Sequence, residues 1–318
     1  MEILIWGGVF VVSLVALVKG ADWVLDNSKK IGLALGLSPF IIGVVILGFG
    51  TSAPELVSSI FAVLQKATEI PVANAIGSNI ANILLVVGLS AVVARGRFEA
   101  TKSLIDLEIP LLILATSYFF GVAYDGVVTP VEGIFLLAGF VVYILYTLLS
   151  GNGESAVAAL ETEEEKAGKR ITLSDIFFLV VGFALLIFGA QYLVESVLVL
   201  SQSLGISVGV ITLLAVALGT SLPELVVSIK AALSGNAEVS IGNIFGSNIF
   251  NLLLVVGVPA LITPLAIDTV TLTVALPAML VATILFVISG LSQRIHSWEG
   301  MFYLLLYALF VAKIFGWA

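Results

Sequence analysis

No cysteine occurs among the 318 residues, and His296 is the single histidine. A disulfide framework and a thiolate metal site are thereby excluded, and a zinc or copper centre has almost no soft ligands to draw on. Charge is scarce as well: Asp, Glu, Lys and Arg make up 11% of the chain, where a soluble domain carries about 25%. Too few polar groups remain to cover a globule in water. With 60% hydrophobic residues and a mean hydropathy of +1.21, lipid must be the solvent. No His-Glu-x-x-His motif is present, and no EF-hand spacing. The chain therefore reads as neither a hydrolase nor a cofactor enzyme, and no nucleic-acid or obligate protein partner is inferred. Its partner is the bilayer.

What is there is a series of long apolar runs. A bilayer crossing takes roughly 20 apolar residues. Such stretches fall near 3–24, 39–65, 71–94, 103–124, 128–149, 174–200, 208–233, 239–262, 270–290 and 298–316. The fold class expected is an all-α membrane protein of ten transmembrane helices. The start, Met1-Glu2-Ile3-Leu4, has no basic n-region and reads as a retained first helix. Alternate loops share a side. One set holds Lys29, Lys30, Arg95, Arg97, Lys102, Lys166, Lys169, Arg170 and Arg294, and the other only Lys66 between its spans, with Lys313 near the C-terminus. The positive-inside rule makes the first set cytoplasmic and puts both termini outside, as expected of a multi-pass cell-membrane protein.

Two motifs recur in register. Gly50-Thr51-Ser52-Ala53-Pro54-Glu55 returns as Gly219-Thr220-Ser221-Leu222-Pro223-Glu224, and Gly77-Ser78-Asn79-Ile80-Ala81-Asn82 as Gly246-Ser247-Asn248-Ile249-Phe250-Asn251, both 169 residues on. Chance does not hold one offset across two motifs. Five spans fit within that offset, so the second copy enters the membrane from the opposite side. Inverted repeats mark secondary transporters, with the site at the repeat interface near the midplane. Duplicated small residues that merely allow close helix packing would account for Gly77 and Gly246, but not for the glutamates. The expected units are a first repeat over 1–149 (motifs within 43–88), a hydrophilic cytoplasmic linker over 150–173 and a second repeat over 174–318 (motifs within 212–257). Glu161, Glu163, Glu164 and Glu165 in the linker read as a solvated loop.

Glu55 and Glu224 stand near the centres of their spans, where a carboxylate costs about 2.5–3.5 kcal/mol on insertion scales. A hydrogen-bonded structural glutamate is the plain alternative; two at matching positions point to an ion site. Pro54 and Pro223 each lack an N–H and crowd the carbonyl four residues back, so both helices should kink and free backbone oxygens. Such backbone is tolerated only inside protein or a polar cavity. Thr51 and Glu55, Ser78 and Asn82, Thr220 and Glu224, and Ser247 and Asn251 are each four apart and share a helix face. Each half thus offers a carboxylate, an amide, hydroxyls and carbonyls. An all-oxygen set with two carboxylates suits hard cations such as Ca²⁺ or Na⁺.

On these motifs the sequence resembles the cation/calcium exchanger superfamily, in its sodium–calcium branch, over essentially the whole chain. The resemblance implies four motif helices holding cations between the repeats, with Glu55 and Glu224 as central carboxylates. Thr51, Ser52, Thr220 and Ser221 would supply further oxygens, Ser78 and Ser247 would line sodium positions, and Asn82 and Asn251 would flank the middle. Gly48 and Ala217 match positions where the family uses a backbone carbonyl. Asn251 is similar to the residue of potassium-independent exchangers, where potassium-dependent relatives carry Asp. The implied activity is Na⁺/Ca²⁺ antiport by alternating access, with the ions as substrates and no cofactor. An H⁺/Ca²⁺ antiporter is the runner-up, and a cation channel the reading from another class.

Overall fold

The computed structural model describes residues 2–34, 51–94, 102–149, 171–234 and 237–317. It is helical nearly throughout: α1 (Glu2–Ala34), α2 (Ala53–Leu64), α3 (Ile70–Val93), α4 (Lys102–Ala123), α5 (Pro130–Leu149), α6 (Leu173–Leu204), α7 (Val208–Thr220), α8 (Leu222–Leu233), α9 (Ala237–Phe250, carried on to Ala260), α10 (Thr271–Leu291) and α11 (Ser297–Ile314). Among the described residues seven helices are long and apolar enough to cross a bilayer, or eight when α7 and α8 count as one span bent by 45°. With α2 and α4 they fall where the ten expected spans lie. The start of the second span and most of the linker lie outside the described residues.

Large apolar side chains such as Leu4, Val12, Phe135, Val142, Phe188 and Phe302 point outward. An aqueous protein would hide such a surface, whereas lipid accepts it. Helices α3 and α9 are the inner pair, mostly buried, while α1, α5, α6 and α11 keep most of their surface outside. Within lipid every backbone donor and acceptor must be paired internally, which is why helices dominate. Helix ends meet the same demand by capping. Thr172 and Asp175 form a reciprocal capping box at α6, and Glu132 accepts from the Thr129 N–H at 2.7 Å before α5.

The first helices of the two halves show how the repeats are related. In α1 and α6, Gly20 faces Gly182 and Leu186, Gly189 faces Ser13 and Leu17, and Lys30 reaches Asp175 at 3.7 Å. Residue numbers fall in one helix as they rise in the other, so these equivalent helices run antiparallel and the repeats are inverted. The contacts also exchange under the offset of 169, since Gly20, Ser13 and Leu17 correspond to Gly189, Gly182 and Leu186. A Cβ on Gly20 would stand 2.7 Å from the Gly182 oxygen, and one on Gly189 would stand 2.7 Å from the Leu17 nitrogen. Only glycine admits backbones this close.

Two apolar cores result. The larger runs through α3, α4, α5, α9, α10 and α11. A smaller one, built on Leu17, Ala21, Leu186, Ala190, Leu193 and Val197, joins α1 to α6 and touches the motif helices through Ala62, Ile70 and Val216. A short antiparallel ladder, Val127 with Ala266 and Val128 with Leu265, ties the loop before α5 to the loop before α10.

Candidate functional site

The two prolines act as their chemistry requires. Helices α2 and α8 each begin one residue before proline, and the preceding Ser52 and Ser221 leave helical geometry at φ −92°, ψ 8° and φ −80°, ψ 6°. Between α7 and α8 the chain bends by 45° at this point. Proline cannot donate to the carbonyl four residues back, and its ring pushes that turn open. The break sets Glu55 and Glu224 in the first turn of a new helix, each 1% exposed.

The motifs of one half then meet those of the other. The Ser221 hydroxyl donates to Glu55 Oε1 at 3.4 Å, and the Ser52 hydroxyl donates to Glu224 Oε1 at 3.4 Å. These contacts exchange under the repeat, as a two-fold axis between the halves would dictate. Thr220 and Thr51 lie beside Glu55 and Glu224 respectively, and the two carboxylates are near enough to act on each other. Asn82 Nδ2 donates to Asn248 Oδ1 at 3.1 Å, and Asn251 Nδ2 donates to Asn79 Oδ1 at 3.1 Å, a second exchanging pair. Ser78 donates to the Ala217 carbonyl at 3.4 Å, linking α3 to α7. Ser247 accepts from Asn82 Nδ2 at 3.3 Å, linking α9 to α3. Of the twelve residues expected from the sequence, eleven lie within this contact network; Gly48 lies outside the described residues.

Four buried oxygens in this network have no hydrogen-bond donor: Glu55 Oε2, Glu224 Oε2, Asn82 Oδ1 and Asn251 Oδ1. They form two repeat-related pairs. A buried acceptor without a donor costs about 1–3 kcal/mol, more when charged, and a cation between the repeats would offset that cost. The donor set is two carboxylates and neutral oxygens, the chemistry of a hard cation. No cluster of three or more His, Cys, Asp or Glu residues that could hold a metal exists among the described residues.

Sequence reasoning missed several members. Asn74 Oδ1 accepts from Thr220 at 3.5 Å while its Nδ2 reaches the Glu55 carbonyl at 3.5 Å. Asn79 and Asn248 bridge the halves. All three lie in the repeated segments, so repetition itself was the available signal. Both Asn82 and Asn251 lie at π-helical stretches, Ala81–Val87 and Asn251–Val255, a wound-in irregularity that favours functional sites. Glu108 on α4 also has a buried oxygen without a donor, beside Tyr143 of α5. Gly205-Ile206-Ser207-Val208-Gly209 spells the hydrolase pattern Gly-x-Ser-x-Gly, but Ser207 caps α7, accepting from the Val210 N–H at 3.3 Å. Helix α6 leads directly into it, where a nucleophile elbow requires a strand.

The chain also resembles known proteins along nearly its whole length. The family described as sodium/calcium exchanger protein matches residues 5–149 and 174–316. A protein named only provisionally as an antiporter, CaxA of Alkalimonas amylolytica, is 36% identical over 91% of this chain and 92% of its own. The sodium/calcium exchanger MaX1 of Methanosarcina acetivorans is 30% identical over 96% of this chain and 97% of its own. A structure of the sodium-calcium exchanger NCX_Mj, soaked with Na⁺ and Ca²⁺, superposes with a TM-score of 0.65 at 29% identity, covering 97% of this chain and 98% of that one.

Proposed function

The chain belongs to the sodium/calcium exchanger protein family, and we propose that it exchanges Na⁺ for Ca²⁺ by alternating access, without a need for K⁺. The observation that supports this reading is the set of four undonated buried oxygens between the repeats. Two carboxylates supply a charge of −2, which one Ca²⁺ or monovalent cations can balance, so the same oxygens serve competing ions. Glu55 and Glu224 are the central ligands, with Thr51, Ser52, Thr220 and Ser221 around them. Ser78, Ser247, Asn82 and Asn251 complete the set with the backbone oxygens of Gly48 and Ala217. Asn251 is neutral, which leaves no third carboxylate for an extra monovalent ion.

In the proposed cycle α1 and α6 move as one body across the motif helices. They share their own small core, and Leu14 of α1 rests on Gly219 in the second motif. Both termini lie outside the cell and the linker inside, with the repeats dividing at 149 and 174. The test is calcium uptake into proteoliposomes driven by an outward Na⁺ gradient, compared with a pH gradient. Uptake with the Na⁺ gradient and none with pH alone is expected. Uptake driven by pH alone would transfer the coupling to protons.

A further inference from the structure

We infer that Asn79 is a positioning residue, turning the ligand amide of Asn251 in the opposite repeat so that its oxygen faces the cation. The inference rests on the exchanger reading of the site and adds a residue that binds no ion itself.

An amide side chain carries a donor and an acceptor of nearly one shape, so a buried asparagine must be told which way to face. On one side the order comes from backbone. Asn79 Nδ2 donates to the Asn248 main-chain carbonyl at 3.0 Å. A carbonyl can only accept, so this bond fixes the Asn79 amide and sends its Oδ1 the other way. That oxygen faces Asn251 at 3.1 Å, and an acceptor there demands a donor. Asn251 therefore presents Nδ2 to Asn79 and is left with Oδ1 free.

The other side gives the same answer by different means. The Ser247 hydroxyl spends its proton on the Asn243 carbonyl at 2.8 Å, so its oxygen can only accept from Asn82, 3.3 Å away. Asn82 presents Nδ2 to both Ser247 and Asn248 Oδ1, and again its own Oδ1 is left free. Asn248 Nδ2 has no partner, so on this side it is Ser247 that sets the ligand amide. Without these partners each ligand amide could turn over and offer the cation an N–H₂ group, which repels it. Four hydrogen bonds of this cluster cross the repeat interface, so they hold α3 against α9 beside the proposed ion site.

The test is a double-mutant cycle on the full-length protein, read by equilibrium binding of radioactive Ca²⁺ in detergent. Asn79→Ala and Asn251→Ala are each expected to weaken binding about 10-fold, the scale of one buried hydrogen bond or ligand contact. The double variant should bind no more weakly than Asn251→Ala alone, because Asn79 acts only through Asn251. In proteoliposomes Asn79→Ala should raise the KM for Ca²⁺ and retain the maximal rate. A residue that merely supports the fold would lower the maximal rate and thermal stability and show additive effects. Additivity in the cycle, or wild-type affinity in Asn79→Ala, overturns the inference. If Asn79→Ala does not fold, the Asn79→Ser and Asn251→Ala cycle asks the same question. Glu55→Gln run in parallel separates the two levels. Wild-type Ca²⁺ binding in Glu55→Gln sinks the ion site as a whole, whereas its loss together with an additive cycle sinks only the positioning role.

Discussion

Glu55→Gln is nearly isosteric, and its consequences divide cleanly between the ion-free and ion-bound protein. The glutamine oxygen can keep the Ser221 hydroxyl now 3.4 Å from Glu55 Oε1, so the fold has no steric reason to change. What changes is the undonated Oε2, which becomes an N–H₂ group facing the place of the cation. A bound Ca²⁺ then meets one negative charge instead of two. Removing one member of a buried charge pair costs about 3–5 kcal/mol, or roughly 100- to 5,000-fold in affinity. Without ions the sign reverses, because the remaining Glu224 no longer faces a like charge in a buried site. Thermal unfolding of purified protein reads both effects. Ca²⁺ at 100 times its wild-type Kd should stabilise wild type by about 2.7 kcal/mol, but a variant with a 100-fold weaker Kd by only about 0.4 kcal/mol. The variant should match or exceed wild type in the absence of ions, and its Ca²⁺ flux should be lost. Glu224→Gln should behave alike, since the two-fold interchanges the residues. A variant that exchanged calcium at the wild-type rate, or kept the full Ca²⁺-induced stabilisation, would refute the assignment.

Three further outcomes are expected. Na⁺-driven Ca²⁺ flux should persist when choline replaces K⁺ on both sides, and a flux that vanished would show that Asn251 does not mark independence from potassium. A cross-link fixing α1 to α2 should stop exchange but spare Ca²⁺ binding; undiminished exchange in the locked protein would rule out α1 and α6 as the moving body. In Gly189→Ala the new methyl group would start 2.7 Å from the Leu17 nitrogen, so α6 must step back by about 0.7 Å to reach ordinary contact at 3.4 Å. Overpacking of this kind costs about 1–3 kcal/mol, to be read as a lower unfolding temperature, and an unchanged midpoint would contradict the glycine contact.

Much of the fold was legible because its determinants are local or repeated. Pro223 announced the 45° break, and the matched Glu55 and Glu224 announced a shared interior. Orientation of α6 against α1 was legible only as parity, five spans per repeat. Their register was not, because Gly182 has no glycine counterpart in α1 and reveals itself only when the backbones meet. The π-helical turns at Asn82 and Asn251 were hidden for another reason. An extra residue in a turn leaves the apolar pattern of a wholly buried helix unchanged, since every face of α3 there is inside. Glu108 went unnoticed because it lies close to Lys102 and Asp106, where it reads as the polar end of a span. In the structure its oxygen is buried. Asn79 and Asn248 were visible as letters of the motif. What each does depends on which way its amide faces, and that is a property of partners 166 to 172 residues away.

The two-fold also bears on how one site can serve two faces of a membrane. Ser52 with Glu224 and Ser221 with Glu55 are interchanged by the repeat, so neither direction of approach finds a different first set of oxygens. What must differ between the open states is the cover. Helices α1 and α6 are themselves interchanged by the same axis, and they meet across glycines in a core of their own. Moving them as a pair leaves the large core through α3, α4, α5, α9, α10 and α11 intact. In the proposed cycle the contacts that must change are those with the motif helices, among them Ala62, Ile70 and Val216 with Val57 and Phe61 beside them, and Leu14 on Gly219. Departures from symmetry are where the two faces can be told apart. In the last two spans of each half the sequences match 167 residues apart, as the helix-capping Glu132 and Glu299 do. Glu108 and Tyr143 thus correspond to Ala275 and Phe310, and this carboxylate with its buried oxygen and its phenol exist in the first half alone. In the proposed ion site both halves contribute equivalent ligands, so a preference for one face over the other would come from such unduplicated groups.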